Sequence, residues 1–344
     1  DGIIVKGDFK DKLEYKEQSN LALNDIQIRD TVNGLAVQGP ARIKANGLEI
    51  SHPNRAVTLA AGSEGEFKKL TIRDSADPSD DHLFVADNAA RLSLEEVLVS
   101  NTSSYDSVFS IKTDFLQFYG AVFMNNQTQG SILDLDLGKL ANPQEDQQHL
   151  VSSILTVNND ANESIVKLRS QDIVTLLNFG VHGNYGIFNN IIDAFDPAQS
   201  ESNKGPKYII NTSITDNTPF DGVLKSDVIS GADISSQNGG VVVDGSNIYN
   251  NGLENQSYGP NNISVEHCDK GDGYIMSFAK DILKPDAFDL IDGTHEACAL
   301  INGGANHGFY SNNADDSIGH VGAYGGWKEY VLKAIEKTIS GLYK

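Results

Sequence analysis

Asp25-Ile26-Gln27-Ile28-Arg29-Asp30-Thr31 is a stretch in which two apolar residues alternate with polar ones and a polar corner follows. Variants of this phrase return as Gly47-Leu48-Glu49-Ile50-Ser51-His52 and as Lys69-Leu70-Thr71-Ile72-Arg73-Asp74-Ser75. The second apolar residue of each copy lies at position 28, 50 or 72, so the phrase repeats every 22 residues. A fixed period of this size is typical of solenoid proteins, in which each repeat forms one turn of a stack.

Less regular copies of the phrase continue the pattern along the chain. The gaps between their matching apolar residues are 27, 24, 34, 24, 33 and 34 residues. The matching residues of these copies are Val99, Phe123, Val157, Val181, Ile214 and Ile248. The sequence therefore predicts at least nine coils.

The apolar residues within a repeat alternate with period two over short runs, which predicts strands rather than helices. One such coil cannot bury its apolar side chains alone. Stacked coils bury them in a continuous core, with equivalent strands hydrogen-bonded about 4.8 Å apart. An acid or amide that recurs two places after the last inward residue predicts a polar ladder at Asp30, Asp74, Asn101, Asn125, Asn159, Asp216 and Asn250.

The coil length, the polar corner and the irregular insertions resemble the right-handed parallel β-helix of the pectin-lyase-like superfamily over residues 20–325. A leucine-rich repeat is the alternative at this period, but the Leu-x-x-Leu-x-Leu spacing of that family is absent. Near the end, Ala299-Leu300-Ile301-Asn302-Gly303-Gly304 and His320-Val321-Gly322-Ala323-Tyr324-Gly325 resemble the closing coil of secreted bacterial β-helix surface proteins. We therefore predict an all-β fold, a right-handed parallel β-helix.

The repeats predict one elongated domain, because each coil of a solenoid contacts only its neighbours and the stack grows without splitting. We assign residues 1–325 to the parallel β-helix. Apolar residues at helical spacing after Trp327 predict a short C-terminal helix, over residues 326–344, that caps the last coil. Cys268 and Cys298 are the only cysteines, and their spacing leaves open whether a disulfide joins them.

The formal net charge of −21 argues against binding of nucleic acid through bulk charge. The sequence also lacks an apolar run long enough to form a membrane span. Acidity, few cysteines and the closing-coil pattern together predict a monomeric extracellular or cell-surface protein. The arginines all lie in the first half of the chain, at positions 29, 42, 55, 73, 91 and 169.

Stacking converts a separation of 22 residues into contact between neighbouring coils. It places Asp30, His52 and Asp74 in one column and Arg29 and Arg73 in the next. Two acids beside a histidine and two arginines have the chemistry to bind an acidic sugar and to move a proton. We therefore predict catalytic roles for His52, Arg29 and Arg73, and substrate binding by Asp30 and Asp74. The alternative is a corner ladder whose surface ion pairs contribute little individually.

Two further acidic groups are candidates. Asp134 and Asp136 alternate on one predicted strand, so they share a face and are assigned to substrate binding. Asp77, Asp80 and Asp81 lie in an acid-rich loop and offer the hard oxygen ligands that calcium prefers. We therefore predict a calcium ion at this loop.

The resemblance to the superfamily implies a polysaccharide ligand. Its lyases use Lys or Arg to remove a proton beside a uronate carboxylate, often with calcium, and its hydrolases use clustered aspartates. We expect a polysaccharide or cell-surface glycan to be bound, or to be cleaved by a polysaccharide lyase or glycoside hydrolase activity. The alternative is a non-catalytic structural or adhesive segment of a larger surface protein. The aromatic residues predicted to stack on sugar rings are Phe118, Tyr119, Tyr249, Tyr258 and Tyr310.

Overall fold

The structure, a computed structural model, describes residues 3–6, 20–75, 82–140, 148–195, 205–220, 227–232, 240–252, 258, 262, 334–335, 338–339 and 341. The strands in these ranges form three sheets, and each strand pairs in parallel with its equivalents in the neighbouring coils. This arrangement is a parallel β-helix, as the sequence predicts. The leucine-rich repeat alternative is wrong for these ranges, because their coils are built from strands alone.

Each complete coil contributes strands to the sheets in a fixed order. The first sheet contains β1 (Ile3–Lys6), β3 (Asn33–Gln38), β5 (Arg55–Leu59), β7 (Phe84–Ala89), β10 (Phe109–Thr113), β13 (Leu133–Leu137), β16 (Val166–Ser170) and β19 (Ile192–Asp193). The second sheet contains β2 (Asn20–Arg29), β4 (Arg42–Ser51), β6 (Glu64–Arg73), β8 (Arg91–Ser100), β11 (Leu116–Met124), β14 (His149–Val157), β17 (Val174–His182), β20 (Lys207–Ile210), β21 (Ser213–Thr215), β23 (Val241–Asp244) and β24 (Asn247–Tyr249). The third sheet contains β9 (Ser103–Ser104), β12 (Gln127–Thr128), β15 (Asp160–Ala161), β18 (Tyr185–Ile187) and β22 (Thr218–Pro219).

The register of the second sheet confirms the 22-residue repeat. Ile28 pairs with Ile50, and Ile50 pairs with Ile72. We number the coils by the strands of this sheet, from β2 in coil one to β11 in coil five and β23 with β24 in coil nine. The prediction of at least nine coils is therefore confirmed.

The register differs from the prediction at coil six. Phe123 of coil five pairs with Thr156, and Thr156 pairs with Val181 of coil seven. Val157, which the sequence pattern assigns to the core column, lies in the neighbouring column. The prediction is wrong here because a threonine occupies a position where the pattern expects an apolar residue.

A residue with left-handed backbone follows the last strand of every coil in the second sheet. The φ angles in this column lie between 51° and 59°. Its members are Asp30, His52, Asp74, Asn101, Asn125, Asn158, Gly183, Asp216 and Asn250. Asp, Asn and Gly tolerate this conformation best, which explains why the corner is rich in them. The predicted corner ladder is confirmed, except that Asn158 holds the place assigned to Asn159.

A second ladder, of asparagines, lies one residue further along in coils five to nine, inside the stack. Each side-chain amide donates to the side-chain oxygen of the asparagine in the next coil, at 2.8 or 2.9 Å. The members are Asn126, Asn159, Asn184, Asn217 and Asn251, and all five are buried. Their oxygens also accept backbone N–H groups of the preceding coil, so the ladder satisfies corner backbone that has no sheet partner.

The second-sheet strands bend in the middle. The bend is marked by a further column of residues with φ between 50° and 75°. Its members are Asp25, Gly47, Lys69, Glu96, Gly120, Ser153, Asn178, Asn211 and Gly245. The bend turns the chain toward the corner. It also shifts the alternation of inward and outward side chains by one residue, so that two inward residues precede the bend and two follow it.

The interior is a single hydrophobic core that runs through the stack. Its largest side chains are phenylalanines, most of them in coils three to five, with Phe179 in coil seven. Phe84 and Phe109 stack with ring centroids 4.5 Å apart, and Phe123 meets the Phe109 ring edge-on at 5.1 Å. Burial of such rings contributes roughly 2 to 3 kcal/mol each, so the middle coils are anchored by aromatic packing.

The outer face of the second sheet is charged in the first coils and mostly apolar from coil five onward. In coils two to four it carries ion pairs between rungs, such as Lys44 with Glu66 at 2.6 Å and Arg42 with Glu64 at 3.7 Å. From coil five onward the outward side chains are mostly apolar or small, and many are buried. Among them are Val122, Met124, Leu150, Leu155, Val157, Leu177 and Ile210.

Residues 334, 335, 338, 339 and 341 are helical, in agreement with the predicted C-terminal helix, and Ile335 and Ile339 are buried. Ala334, Ile335 and Thr338 line a cavity on the outer face of coils one to four, so these helical residues lie there and not over the last coil. The other residues of the predicted capping helix, over 326–344, lie outside the described part of the chain apart from Ile339 and Gly341. Cys268, Cys298 and the closing-coil pattern also lie outside it. Within the described ranges, no helix is long and apolar enough to span a membrane.

Candidate functional site

The predicted histidine column is present at the corner of coils one to three. The backbone N–H groups of Asp30 and His52 donate to the carbonyls of Ser51 and Arg73, each one coil further on, at 3.0 Å. The His52 Nδ1 atom lies 3.4 Å from Asp30 Oδ1, and both side chains are largely exposed. Strand ends and left-handed corners thus place an acid beside an imidazole on the surface.

The predicted arginine column is also present, since Arg29 pairs with Ser51 and Ser51 with Arg73. The Arg73 guanidinium donates to Glu49 Oε1 at 2.8 and 3.1 Å and to Asp74 Oδ2 at 2.5 Å. Burial lowers the pKa of Arg73, but the bonds and charges of these two acids outweigh it and hold the pKa above its ordinary value. Arg73 is therefore already paired on two sides.

A polar network extends from this pair across coils one to three. Gln27 donates to the second oxygen of Glu49 at 3.0 Å and accepts a bond from Arg29 at 3.0 Å. Glu49 thus joins both predicted catalytic arginines through one carboxylate. Sequence reasoning missed Glu49, although its position two residues before the Arg-bearing column would have placed it on the same face.

A cavity of about 260 Å³ lies beside this network on the outer face of the second sheet. Strands β2, β4, β6 and β8 form its floor through residues such as Gln27, Glu49 and Thr71, and the helical residues Ala334 and Ile335 form part of its wall. The C-terminal helical residues therefore lie against coils one to four.

Asp134 and Asp136 share the outer face of β13, as predicted, but they lie on the first sheet and not with the corner residues. Asp136 lies 3.7 Å from Lys112 and Asp134 lies 3.9 Å from Lys167. Burial raises the pKa of Asp134, and the charge of Lys167 opposes that rise. Each predicted carboxylate faces a cation of a neighbouring coil, so this face is an ion-pair ladder.

The predicted calcium ligands Asp77, Asp80 and Asp81 lie outside the described residues, so this prediction stays open. Among the residues that the structure does describe, no three His, Cys, Asp or Glu side chains are grouped so that they could hold a metal ion.

The aromatic residues that the sequence nominated for sugar stacking are poorly placed for it. Phe118 is fully buried in the core. Tyr119 packs against the cluster of Leu150, Leu177 and Ile210, and the Tyr258 hydroxyl accepts a bond from the backbone N–H of Ile229 at 3.3 Å. Tyr249 is half-buried, and Tyr310 lies outside the described residues.

Other aromatic side chains are exposed along the third sheet. Tyr105 is 63% exposed, Phe220 59% and Tyr185 42%. Phe188 is half-buried and stacks on Phe220 with ring centroids 4.3 Å apart and an interplanar angle of 22°. We call Tyr105, Tyr185, Phe188 and Phe220 the aromatic stripe.

The third sheet holds the aromatic stripe in register. Tyr185 pairs with Asp160 of coil six and with Thr218 of coil eight. The register shifts between Tyr185 and Ile187. Because of this irregularity, the side chains of Tyr185 and Phe188 both face the outer surface. Burial, and then the charge of Asp160, raise the pKa of the Tyr185 phenol, which therefore keeps its proton at neutral pH.

Polar side chains fill the rungs of the stripe between Tyr105 and Tyr185. Gln127 donates to Asp160 at 3.4 Å, and Asn162 donates to Gln129 at 2.5 Å. Gln127 and Gln129 are exposed. The outer surface of the third sheet therefore carries aromatic rings at both ends and, between them, groups that donate and accept hydrogen bonds.

A sequence signal for the stripe exists in the spacing from the asparagine ladder. Phe220 and Tyr105 each follow the ladder position of their coil, at Asn217 and Thr102, by three residues. Phe188 follows Asn184 by four because of the shift in β18. Once the ladder is identified, the aromatics that follow it are the ones on the surface.

No protein-family model, curated protein or solved structure matches the chain. The proposal for its function therefore depends on the geometry described above.

Proposed function

We propose that this protein is an extracellular or cell-surface β-helix that binds polysaccharide without cleaving it. The observation that carries the proposal is the aromatic stripe, an exposed row of rings beside amide side chains. Exposed apolar groups in a contiguous surface patch mark binding sites. A sugar ring has an apolar face that packs on an aromatic ring and a rim of hydroxyls that bond to Asn and Gln.

The corner of coils one to three supports binding rather than cleavage. A lyase needs a base that is free to take a proton and a cation that is free to neutralise a uronate carboxylate. The Arg73 guanidinium is paired with Glu49 and Asp74, and Arg29 donates to Gln27. At Arg73 a uronate would have to compete with the two carboxylates that already hold the guanidinium.

The resemblance of the coils to the pectin-lyase-like superfamily supports polysaccharide as the ligand class. The closing-coil resemblance and the net charge of −21 support an exported location. A calcium ion at the loop that contains Asp77, Asp80 and Asp81 belongs to the same proposal, since clustered carboxylates supply the oxygen ligands that calcium prefers.

A glycan array combined with an absorbance assay for unsaturated uronate products tests the proposal. We expect retention of one or more polysaccharides and no absorbance change, in the presence of calcium and in the presence of a chelator. Unsaturated products would overturn the non-catalytic assignment and would favour the predicted catalytic roles of His52, Arg29 and Arg73. If no glycan is retained, the structural or adhesive role is the correct one.

A further inference from the structure

We infer that the ligand is an uncharged polysaccharide whose chain lies along the axis of the β-helix, across the aromatic stripe. This inference rests on the proposed function and specifies its ligand and its location. It concerns coils four to eight, where the third sheet is present.

The charge of the stripe favours an uncharged ligand. The described acids on and beside the third sheet include Asp106, Asp160 and Glu163, and His82 lies 3.7 Å from Asp106. Among the described residues, Lys167 is a cation that contacts one of these acids, and it is paired with Glu163 at 3.3 Å and Asp134 at 3.9 Å. Among the described side chains, a uronate or sulfate group on this surface would therefore meet like charge, while Lys167 is already paired.

The direction of the stripe favours a chain that runs along the stack. Equivalent positions in neighbouring coils are about 4.8 Å apart, so Tyr105 and Phe220, which are four rungs apart, are separated by about 19 Å. Phe188 and Phe220 form one stacked platform over two rungs. Gln129 and Asn162 occupy the rungs between this platform and Tyr105. An extended oligosaccharide thus meets a ring at each end and amides in the middle.

The aromatic stripe is suited to binding because few of its side chains must become ordered when the ligand binds. Tyr185 lies on β18, the other three aromatic residues directly follow strands of the third sheet, and the Phe188 ring stacks on Phe220. Asn162 and Gln129 are already bonded to each other. Preorganised rings and amides reduce the entropy lost on binding, which raises affinity for a given contact area.

The experiment measures binding of the full chain to soluble polysaccharides by affinity electrophoresis. The probes are hydroxyethyl cellulose, laminarin and galactomannan as uncharged chains, and polygalacturonate as the anionic one. The variants are Tyr185→Ala and Phe220→Ala, with Val32→Ala, at an apolar side chain that is 62% exposed in coil one, as the control. Exposed residues are chosen so that the variants fold, which circular dichroism verifies.

We expect at least one uncharged probe to bind, with each stripe variant weakening its binding by about tenfold or more and Val32→Ala leaving it unchanged. Binding of an uncharged probe that both stripe variants leave intact would overturn the location while the proposed function stands. Binding of polygalacturonate alone would overturn the ligand class, and the proposed function would again stand. Failure of all four probes and of the glycan array would overturn both.

Discussion

The side-chain amide of Asn159 donates to the side-chain oxygen of Asn184 at 2.8 Å, across two adjacent coils in the buried interior. The same Asn159 amide donates to the carbonyl of Phe123 at 3.0 Å, and its oxygen accepts both the backbone and the side-chain N–H of Asn126. One asparagine thus completes the hydrogen bonding of three coils.

Replacement of Asn159 by alanine should therefore be strongly destabilising. It leaves a buried backbone N–H and a buried carbonyl without partners, and each such group costs about 1 to 3 kcal/mol. We expect a loss of about 3 kcal/mol in the free energy of unfolding, measured by urea denaturation. Asn125→Gly in the outer corner ladder is the control, since glycine keeps the left-handed backbone and should cost less than about 1 kcal/mol. Equal losses in the two variants would contradict the role of the inner ladder.

Lys69 offers a test of the bend in the second-sheet strands. Its φ is 55° and its side chain is exposed. A non-glycine residue in this conformation carries about 1 kcal/mol of strain, so Lys69→Gly should raise the free energy of unfolding by roughly 0.5 kcal/mol despite the entropy of glycine. Lys68→Gly, at the neighbouring position outside the left-handed column, should lower it by about 1 kcal/mol. A loss in both variants would show that the bend stores no strain.

Lys207 should make stability depend on pH in the alkaline range. It is fully buried, and burial, with the charge of Arg169 as the second cause, lowers its pKa from 10.5 to about 8. The unfolded chain keeps the ordinary pKa and binds more protons across that window, so the contribution of Lys207 to stability rises with pH from about 8 to 10.5.

The corresponding measurement compares Lys207→Met with the parent protein by urea denaturation at pH 7.5 and pH 10. The methionine variant lacks the buried charge, so its stability advantage should shrink by about 2 kcal/mol between the two values. A difference that does not change with pH would show that the ammonium is not desolvated.

His149 should contribute a dependence of the same sign in the acid range, so that stability again rises with pH. The ring accepts the backbone N–H of Leu116 at 3.3 Å and donates to the carbonyl of Gly138 at 3.0 Å, so it is neutral in the folded state. Burial lowers its pKa below the ordinary 6.5. As pH falls below 6.5, the unfolded chain takes up a proton that the folded chain resists, and stability is lost.

The loss for His149 approaches about 1.4 kcal/mol per pH unit. His149→Gln keeps a donor and an acceptor but does not titrate, so the stability difference between the two proteins should change between pH 7.5 and pH 5.5. Parallel unfolding free energies over this range would contradict the assignment.

The coils could be predicted from the sequence because the evidence for them is local. Ile26 and Ile28 alternate inward, and Asp30 favours the left-handed corner that ends the strand. Whether Asn158 or Asn159 enters the inner ladder could not be predicted, because both residues suit either column. The choice depends on the register with Asn126, which is set by contacts between coils.

The candidate site was less predictable for a related reason. The Arg29 and Arg73 column follows from the 22-residue spacing alone. That Arg73 is paired with Glu49 depends on side-chain geometry that spacing does not determine. Likewise Phe118 and Phe220 are chemically identical. Phe118 is buried and Phe220 is exposed because they lie at different positions in the coil relative to the asparagine ladder.

The backbone hydrogen bonds between coils lie parallel to the long axis of the stack, and this has a mechanical consequence. Tension applied to the two ends of the chain opens the bonds of a terminal coil one after another, while the coils behind it stay closed. We expect the molecule to lengthen in steps in a single-molecule force experiment. A coil of 22 to 34 residues releases about 75 to 120 Å of extended chain. Such a rod resists bending, but under tension it unwinds coil by coil. A single cooperative rupture in the force experiment would contradict this behaviour.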